Sequence, residues 1–425
     1  MKTYKNVAVW DAEHAVAEMC DVQTEHGRFV SIRPAGSITS GCAYECRGKM
    51  AMLPGFVNAH GHAPMTLLRG LGEEMPLMDW LEKRMWPIEN KMGKAQMALG
   101  TRLAMLEMLS TGTTCYAEQY FGLDDVPQAV LDAGMRAGLS RGLTNGKDQD
   151  RLSQNIELFK NWHGAGGLIN VQFGPHALYT VDFGYLSEVA ATAKEYGAGI
   201  QMHWLETEGE WSLCDLHDKM KPEEYLEKSG LLGVSHLTLA HGVWIDEGAM
   251  DFYAKDNITI AHCPKSNLKL GSGVANVPAL LRHGVSLAIG TDGAASNNRL
   301  DMWDEMRFAA LLQKGLRNDP TQMASCDVLR MATLNGARAL GFDRVGLIKE
   351  GWAADFMLVD LDQPQYVGWD CGSLSAYLVY AGSSSDVRET VVAGEPLYQD
   401  GEFTTLDRSR IISEAAAERN KLTGK

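Results

Sequence analysis

The triplet His60-Gly61-His62 follows the apolar run MLPGFV, and two imidazoles one residue apart can serve a single metal ion. Residues i and i+2 of an extended strand share a face, so the spacing predicts that both rings point into one cavity at a strand end. Other apolar runs end in the same kind of residue. GIQMH ends at His203, LTLAH at His241, ITIAH at His262 and SLAIGTD at Asp292, while VQFGPH sets His176 just past its run. A mononuclear catalytic zinc site takes three protein ligands, sometimes a weaker fourth, and leaves a position for water. His60, His62 and His203 supply three imidazoles; Asp292 adds a carboxylate that can also take a proton from water, whose pKa zinc lowers to about 7. Glu206 lies three residues past His203 in HWLETEGE, on the loop above such a metal. An apolar floor there raises a carboxyl pKa and makes it a general acid. Glu208 and Glu210 read as solvated loop charges, His241 as a group that polarises the attacking water, and His262 as a packing or supporting histidine.

Elements must carry these residues to one place. The middle of the chain alternates short apolar strands with helical stretches. Strands are expected ending at His60 and over Thr113–Tyr116, Arg136–Arg141, Ile169–Phe173, Gly199–His203, Leu237–His241, Ile258–His262 and Val285–Asp292. Helices are expected over Lys94–Leu109, Val126–Gly134, Arg151–Asn161, Tyr185–Glu195, Pro278–His283, Met302–Lys314 and Ser325–Gly341. Strands separated by helical patterns imply parallel βαβ units, and eight of them fit a TIM-type (β/α)8 barrel, an α/β fold in which strand C-termini converge on the active-site mouth. Both ends of the chain have a different texture. Asn6–Trp10, Cys20–Gln23 and Arg28–Ile32, with a turn at His26-Gly27, and Ala354–Asp360 and Glu389–Ala393 near the other end, read as strands, followed by a helix over Ser409–Lys421. The expected division is a small β-sandwich domain from residues 1–55 plus 352–425 and a metal-dependent catalytic barrel from residues 56–351.

The 425 residues are 45% hydrophobic and carry a formal net charge of −15. That charge argues against nucleic acid or an anionic membrane as partner, each of which needs a basic patch. No apolar run is long enough to span a bilayer, and the N-terminus lacks the apolar stretch of a secretory signal. Eight cysteines are scattered, and only Cys42 and Cys46 lie close together. They read as free thiols of a cytoplasmic protein, so any metal ligands are His and carboxylate.

PGFVNAHGH, the H-x-x-E of MHWLET, LAHG and GTDGAASNN stand in the order found in the amidohydrolase superfamily. More narrowly, AHGHAPMTLLRG, PLMDWLEKRMWPIE, GPHALYT, PKSNLKLGSG and GTDGAASNNRLDMWDEMRFAALLQK resemble the S-adenosylhomocysteine/5'-methylthioadenosine deaminases along essentially the whole chain, least so in the first fifty residues. The resemblance implies one zinc per subunit (iron is an alternative) on His60, His62, His203 and Asp292. It also implies that Glu206 protonates the purine ring and His241 assists the water. VQFGPHALYT offers no lysine of the kind that bridges two metals in other superfamily members. By the same resemblance Trp80 packs a nucleoside and Glu89 bonds its ribose hydroxyls. His176 approaches the ribose, and Arg141 and Arg151 lie near the sugar and an amino-acid tail, one of them reaching in from a neighbouring subunit of a homo-oligomer. The implied reaction is hydrolytic deamination of adenosines altered at the 5' position. A triazine chlorohydrolase or a guanine- or cytosine-type deaminase shares the ligands and is the alternative; a non-catalytic scaffold is disfavoured by the full ligand set.

Overall fold

His26 and Gly27 both take left-handed φ angles, 49° and 75°. Two-residue hairpin turns need such angles to match the twist of the strands they join. This turn joins strand β2 (Val16–Glu25) to β3 (Arg28–Pro34), and β1 (Lys2–Asp11) pairs antiparallel with β2. Two further strands, β4 (Tyr44–Glu45) and β5 (Met50–Pro54), run parallel to β1. The computed structural model describes residues 1–39, 44–145, 150–218 and 220–424; Cys42 lies outside them.

The expected barrel follows. Its strands are β6 (Phe56–Asn58), β7 (Thr113–Tyr120), β8 (Arg136–Leu143), β9 (Ile169–Pro175), β10 (Ile200–Trp204), β11 (Leu237–His241), β12 (Ile258–His262) and β13 (Ser286–Ile289). They form one 8-stranded parallel sheet in chain order. Ala59 N–H donates to the Ile289 carbonyl at 2.9 Å and Asp292 N–H to the His60 carbonyl at 3.0 Å, which brings the first strand's exit against the last. Inside, Ala59, Ala261, Ala288 and Ala339 pack as one small-residue cluster.

Four strands near the C-terminus, β14 (Phe356–Asp360), β15 (Val387–Val392), β16 (Glu395–Gln399) and β17 (Glu402–Phe403), complete a 9-stranded mixed sheet with β1–β5. Its two layers come from one continuous sheet. Phe29 on β3 and Phe356 on β14 have ring centroids 5.8 Å apart although β2, β1 and β5 separate their strands. A flat sheet would hold those strands about 19 Å apart. The sheet therefore folds over its own core of Tyr4, Val22, Phe29, Met52, Phe356 and Leu358.

One expected helix divides, and two further helical segments bear on the barrel. The helix expected over Ser325–Gly341 is two, Ser325–Met331 and Leu334–Ala339, because Thr333 leaves helical geometry at φ −130°, ψ −95°. The C-terminal helix, Arg408–Thr423, lays Ile411, Ala415 and Leu422 on the barrel helix Lys94–Ser110. The segment before that barrel helix, Leu77–Glu89, is helical with a π-helical turn at Leu81–Met85.

Sheet and barrel are tied by a buried ion pair. The Arg136 guanidinium, at the start of β8, grips Asp355 through Nε and again through Nη2 at 3.0 Å, and Ala393 N–H donates to the same carboxylate at 2.7 Å. Removing one partner leaves the other charge buried and unpaired. Asp355→Ala is therefore expected to lower the unfolding free energy by about 3–5 kcal/mol, read from urea titration of the wild-type and variant proteins.

Candidate active site

Asp292 and His241 hold the conformations on which the site turns. Both are non-glycine residues with positive φ, 60° and 76°, a strained geometry that persists only where the surroundings impose it. In the β10–β11 register His203 faces Ala240 and Trp204 faces His241. Regular alternation would therefore send His241 outward with Trp204, which bonds Tyr253. The turn at His241 brings its imidazole inward, with its ring centroid 5.5 Å from that of His203.

The expectation that His60 and His62 end a strand is corrected. The strand stops at Asn58, and both histidines sit on the turn beyond it with rings 4.9 Å apart and nearly perpendicular. What holds this turn is close packing: a Cβ on Gly290 would lie 2.9 Å from the His60 backbone N and O, so only glycine lets the last strand pass there.

The four expected ligands meet. His62 Nε2 lies 3.2 Å from His203 Nε2 and 3.2 Å from Asp292 Oδ1, and His60 Nε2 lies 3.7 Å from the same oxygen. The outer ring nitrogens are occupied: His62 Nδ1 by the Gln119 carbonyl at 2.7 Å, His203 Nδ1 by the His176 carbonyl at 2.8 Å, and His60 Nδ1 by Gln201 Oε1 at 3.4 Å. A carbonyl on Nδ1 keeps the proton there and frees the Nε2 lone pair. Burial, then the neighbouring histidines, holds His60 and His203 well below the ordinary imidazole pKa. Burial also pulls His62 down, but its bond to Asp292 outweighs this and lifts it to about 9. Burial would raise Asp292; contact with His62 holds it well below the carboxylate range instead. Donors from Gly293 N (2.7 Å), Ser296 Oγ (2.8 Å) and Ser266 Oγ (2.5 Å) complete its shell.

The donor set fits a divalent cation. Donor atoms of His60, His62 and Asp292 lie within 4.8 Å of one another, as do those of His60, His203 and His241, and among the described residues the buried His60 Nε2 has no hydrogen-bond partner. Such an orphan is costly unless something meets it.

Above the cluster opens a cavity of about 870 Å³, lined by His62, His203, Glu206, His241 and Asp292 at its floor. Trp80, Trp86 and Glu89 form one wall, and Thr144, Asn145, Arg151 and His176 another. Glu206 is 3% exposed; burial, then the nearby Asp292, raises its pKa to about 8, although Ser272 Oγ donates to its Oε1 at 3.0 Å. It is therefore protonated at neutral pH. Asn267 donates to His241 Nδ1 at 3.1 Å, leaving Nε2 to carry the proton, 3.8 Å from Glu206. Burial raises Glu89, which accepts a hydrogen bond from Tyr120. Burial lowers His176 to about 3, so it is neutral.

Arg141 is the expected substrate contact that the geometry leaves out of the cavity lining. It is 7% exposed, its guanidinium is taken by the Phe121 carbonyl at 2.5 Å and Asp124 at 3.4 Å, and it stands behind the wall that Phe121 forms. His262 pairs with Ile289, and by alternation it faces away from Ala261 and the barrel interior. Glu208 is exposed, but Glu210 is not: it is 1% exposed, against the reading as a solvated charge, because its carboxylate turns back onto its own loop. Sequence reasoning missed Ser272, Asn267 and the buried Glu118. Glu118 lies within a barrel strand, and Asn267 and Ser272 lie on the segment that follows the strand ending at His262.

The amidohydrolase family pattern matches residues 51–397. The chain belongs to the amidohydrolase family. It is 43% identical over 93% of its length to a 5-methylthioadenosine/S-adenosylhomocysteine deaminase of Moorella thermoacetica, 93% of which is covered. A 5'-deoxyadenosine deaminase of Methanosarcina mazei is 38% identical, with 93% of this chain and 91% of that protein aligned. The crystal structure of an adenosine deaminase from Xanthomonas campestris with bound zinc superposes with a TM-score of 0.94 at 34% identity, covering 100% of this chain and 98% of the other.

The geometry predicts which histidines govern metal content. His60→Ala and His62→Ala are each expected to lose stoichiometric zinc after dialysis, whereas His262→Ala retains it, as measured by elemental analysis.

Proposed function

We propose that this amidohydrolase is a zinc-dependent aminohydrolase that converts 5'-modified adenosines to the corresponding inosine derivatives and ammonia. S-adenosylhomocysteine, 5'-methylthioadenosine, 5'-deoxyadenosine and adenosine are the candidate substrates. Glu206 carries the reading. It is a buried carboxyl raised to about 8, set beside two donor triads that share His60, one with His62 and Asp292 and one with His203 and His241, at the floor of a tryptophan-walled cavity. The names of relatives at 34–43% identity support a purine nucleoside over a triazine.

When bound to His60, His62, His203 and Asp292, zinc supplies the Lewis acidity that makes water a nucleophile near neutral pH. Asp292, kept ionised by its donors, accepts the proton from water as the water oxygen bonds to C6 of the adenine. Glu206 gives its proton to the ring nitrogen beside C6, so the ring accepts the electron pair. His241, protonated on Nε2, hydrogen-bonds the incoming oxygen. The C6–N bond then breaks as the oxygen's remaining proton passes to the ionised Glu206 and the C6 carbonyl forms, and the amino group leaves as ammonia with the proton that Asp292 held. Trp80 offers an aromatic face to the nucleoside and Glu89 an acceptor for ribose hydroxyls. His176 lies close by, and Arg151 can pair with a carboxylate on the 5' substituent. Arg141 would reach a substrate only by leaving Phe121 and Asp124.

We take residues 1–55 with 352–425 as the small domain and 56–351 as the catalytic barrel. We further propose a homo-oligomer, supported by Phe308, Leu311 and Leu316 exposed along one helix. Cytoplasmic residence is supported by the free state of Cys20, Cys46, Cys115, Cys263, Cys326 and Cys371. No helix among the described residues is long and apolar enough to cross a membrane.

Comparing kcat/KM of the zinc-loaded protein on the four nucleosides, followed by the absorbance change from adenine to hypoxanthine, tests the function. Conversion of at least one is expected, and inertness towards all four refutes it. In the same assay Arg151→Met should weaken S-adenosylhomocysteine about tenfold or more while sparing methylthioadenosine, since loss of a charge-assisted pair costs about 1.5–3 kcal/mol.

Glu206 must be protonated to act, so kcat/KM should fall as pH rises through about 8. Glu206→Gln, which cannot donate an acidic proton, should lower kcat/KM by about 100-fold or more and abolish that alkaline limb.

A further inference from the structure

Glu210 lies in the first turn of the helix Gly209–Asp218, is 1% exposed, and does not line the cavity. Its carboxylate reaches back onto the loop that carries Glu206. Oε2 accepts the Leu205 N–H at 3.1 Å, and Oε1 accepts the N–H of Glu206 at 2.8 Å and of Thr207 at 3.1 Å. Three consecutive amides aimed at one carboxyl group form a concave nest.

This nest exists because Leu205, fully buried, holds a left-handed φ of 47°. Leucine does not adopt that conformation without compensation, and here the three-fold acceptance by Glu210 supplies it. The left-handed step is also what turns the chain at the end of β10, so that Glu206 faces the cavity with Oε1 on Ser272 and Oε2 towards His241. Without the carboxylate, three buried N–H groups lose their acceptor, and a return of Leu205 to extended geometry would redirect Glu206.

We propose that Glu210 is a positioning residue. It clamps the left-handed turn at Leu205 and thereby aims the Glu206 proton at the substrate ring. The proposal rests on Glu206 being the proton donor.

A double-mutant cycle on the zinc-loaded protein with methylthioadenosine separates this from a general structural role. Glutamine at 210 keeps the shape but presents an amide N–H₂ to a backbone N–H. Glu210→Gln should lower kcat/KM by about 100-fold, the loss expected of a reacting group displaced by about an ångström. Zinc stoichiometry should stay unchanged. In the Glu206→Gln background the same change should cost less than about threefold, because residues that act as one unit do not add. Multiplicative losses, or loss of zinc in the 210 variant, would overturn the proposal. Full activity in Glu206→Gln alone would instead overturn the assignment of the proton donor. Should Glu210→Gln fail to fold, Glu210→Asp, which keeps the charge but shortens the reach, goes through the same cycle with the same criteria.

Discussion

Three imidazoles and a carboxylate crowded into one water-poor barrel mouth are the constraint on which the rest of the molecule depends. Lone pairs held at such distances repel one another, and each buried polar atom demands a partner. The protein answers on the outer side by giving Nδ1 of His62 and of His203 a backbone carbonyl, and on the inner side by leaving Nε2 atoms aimed at a common point. The strand ends are built to hold that arrangement: the turn carrying His60 and His62 leans on Gly290, and Asp292 is fixed by three donors.

Three strained residues stand at the same rim. Leu205, His241 and Asp292 all take positive φ at the ends of their strands or just beyond. Each departure redirects a side chain that regular alternation would have sent elsewhere or left on the wrong side of the mouth. Such strain is tolerable because the surrounding packing is rigid. The buried Arg136–Asp355 pair ties the folded-over sheet to the start of a barrel strand, and the C-terminal helix braces the helix after the tryptophan-bearing segment.

Burial divides the carboxylates by task. Asp292 is surrounded by donors and stays ionised, whereas Glu206 is buried beside a like charge and stays protonated. An acid and a base are thus available side by side at one pH, the condition for moving protons in both directions during a hydrolytic step.

The strand order and the meeting of His60, His62, His203 and Asp292 were legible in the sequence because short apolar runs separated by helical patterns end in residues of distinctive chemistry. Glu210 was misread and Ser272 passed over because a loop glutamate and a serine between glycines look solvated until the chain folds back on them. Arg141 resembled a substrate contact by position, yet its reach depends on Phe121 and Asp124, which no local pattern specifies. The sequence by itself determined the donor types, their order and the parallel βα repeat, since those follow from composition and periodicity. Only the tertiary structure decided which carboxylates are buried, which arginine meets the cavity and which way each strand end turns, because burial and backbone torsion at a barrel rim are set by packing between segments far apart in the chain.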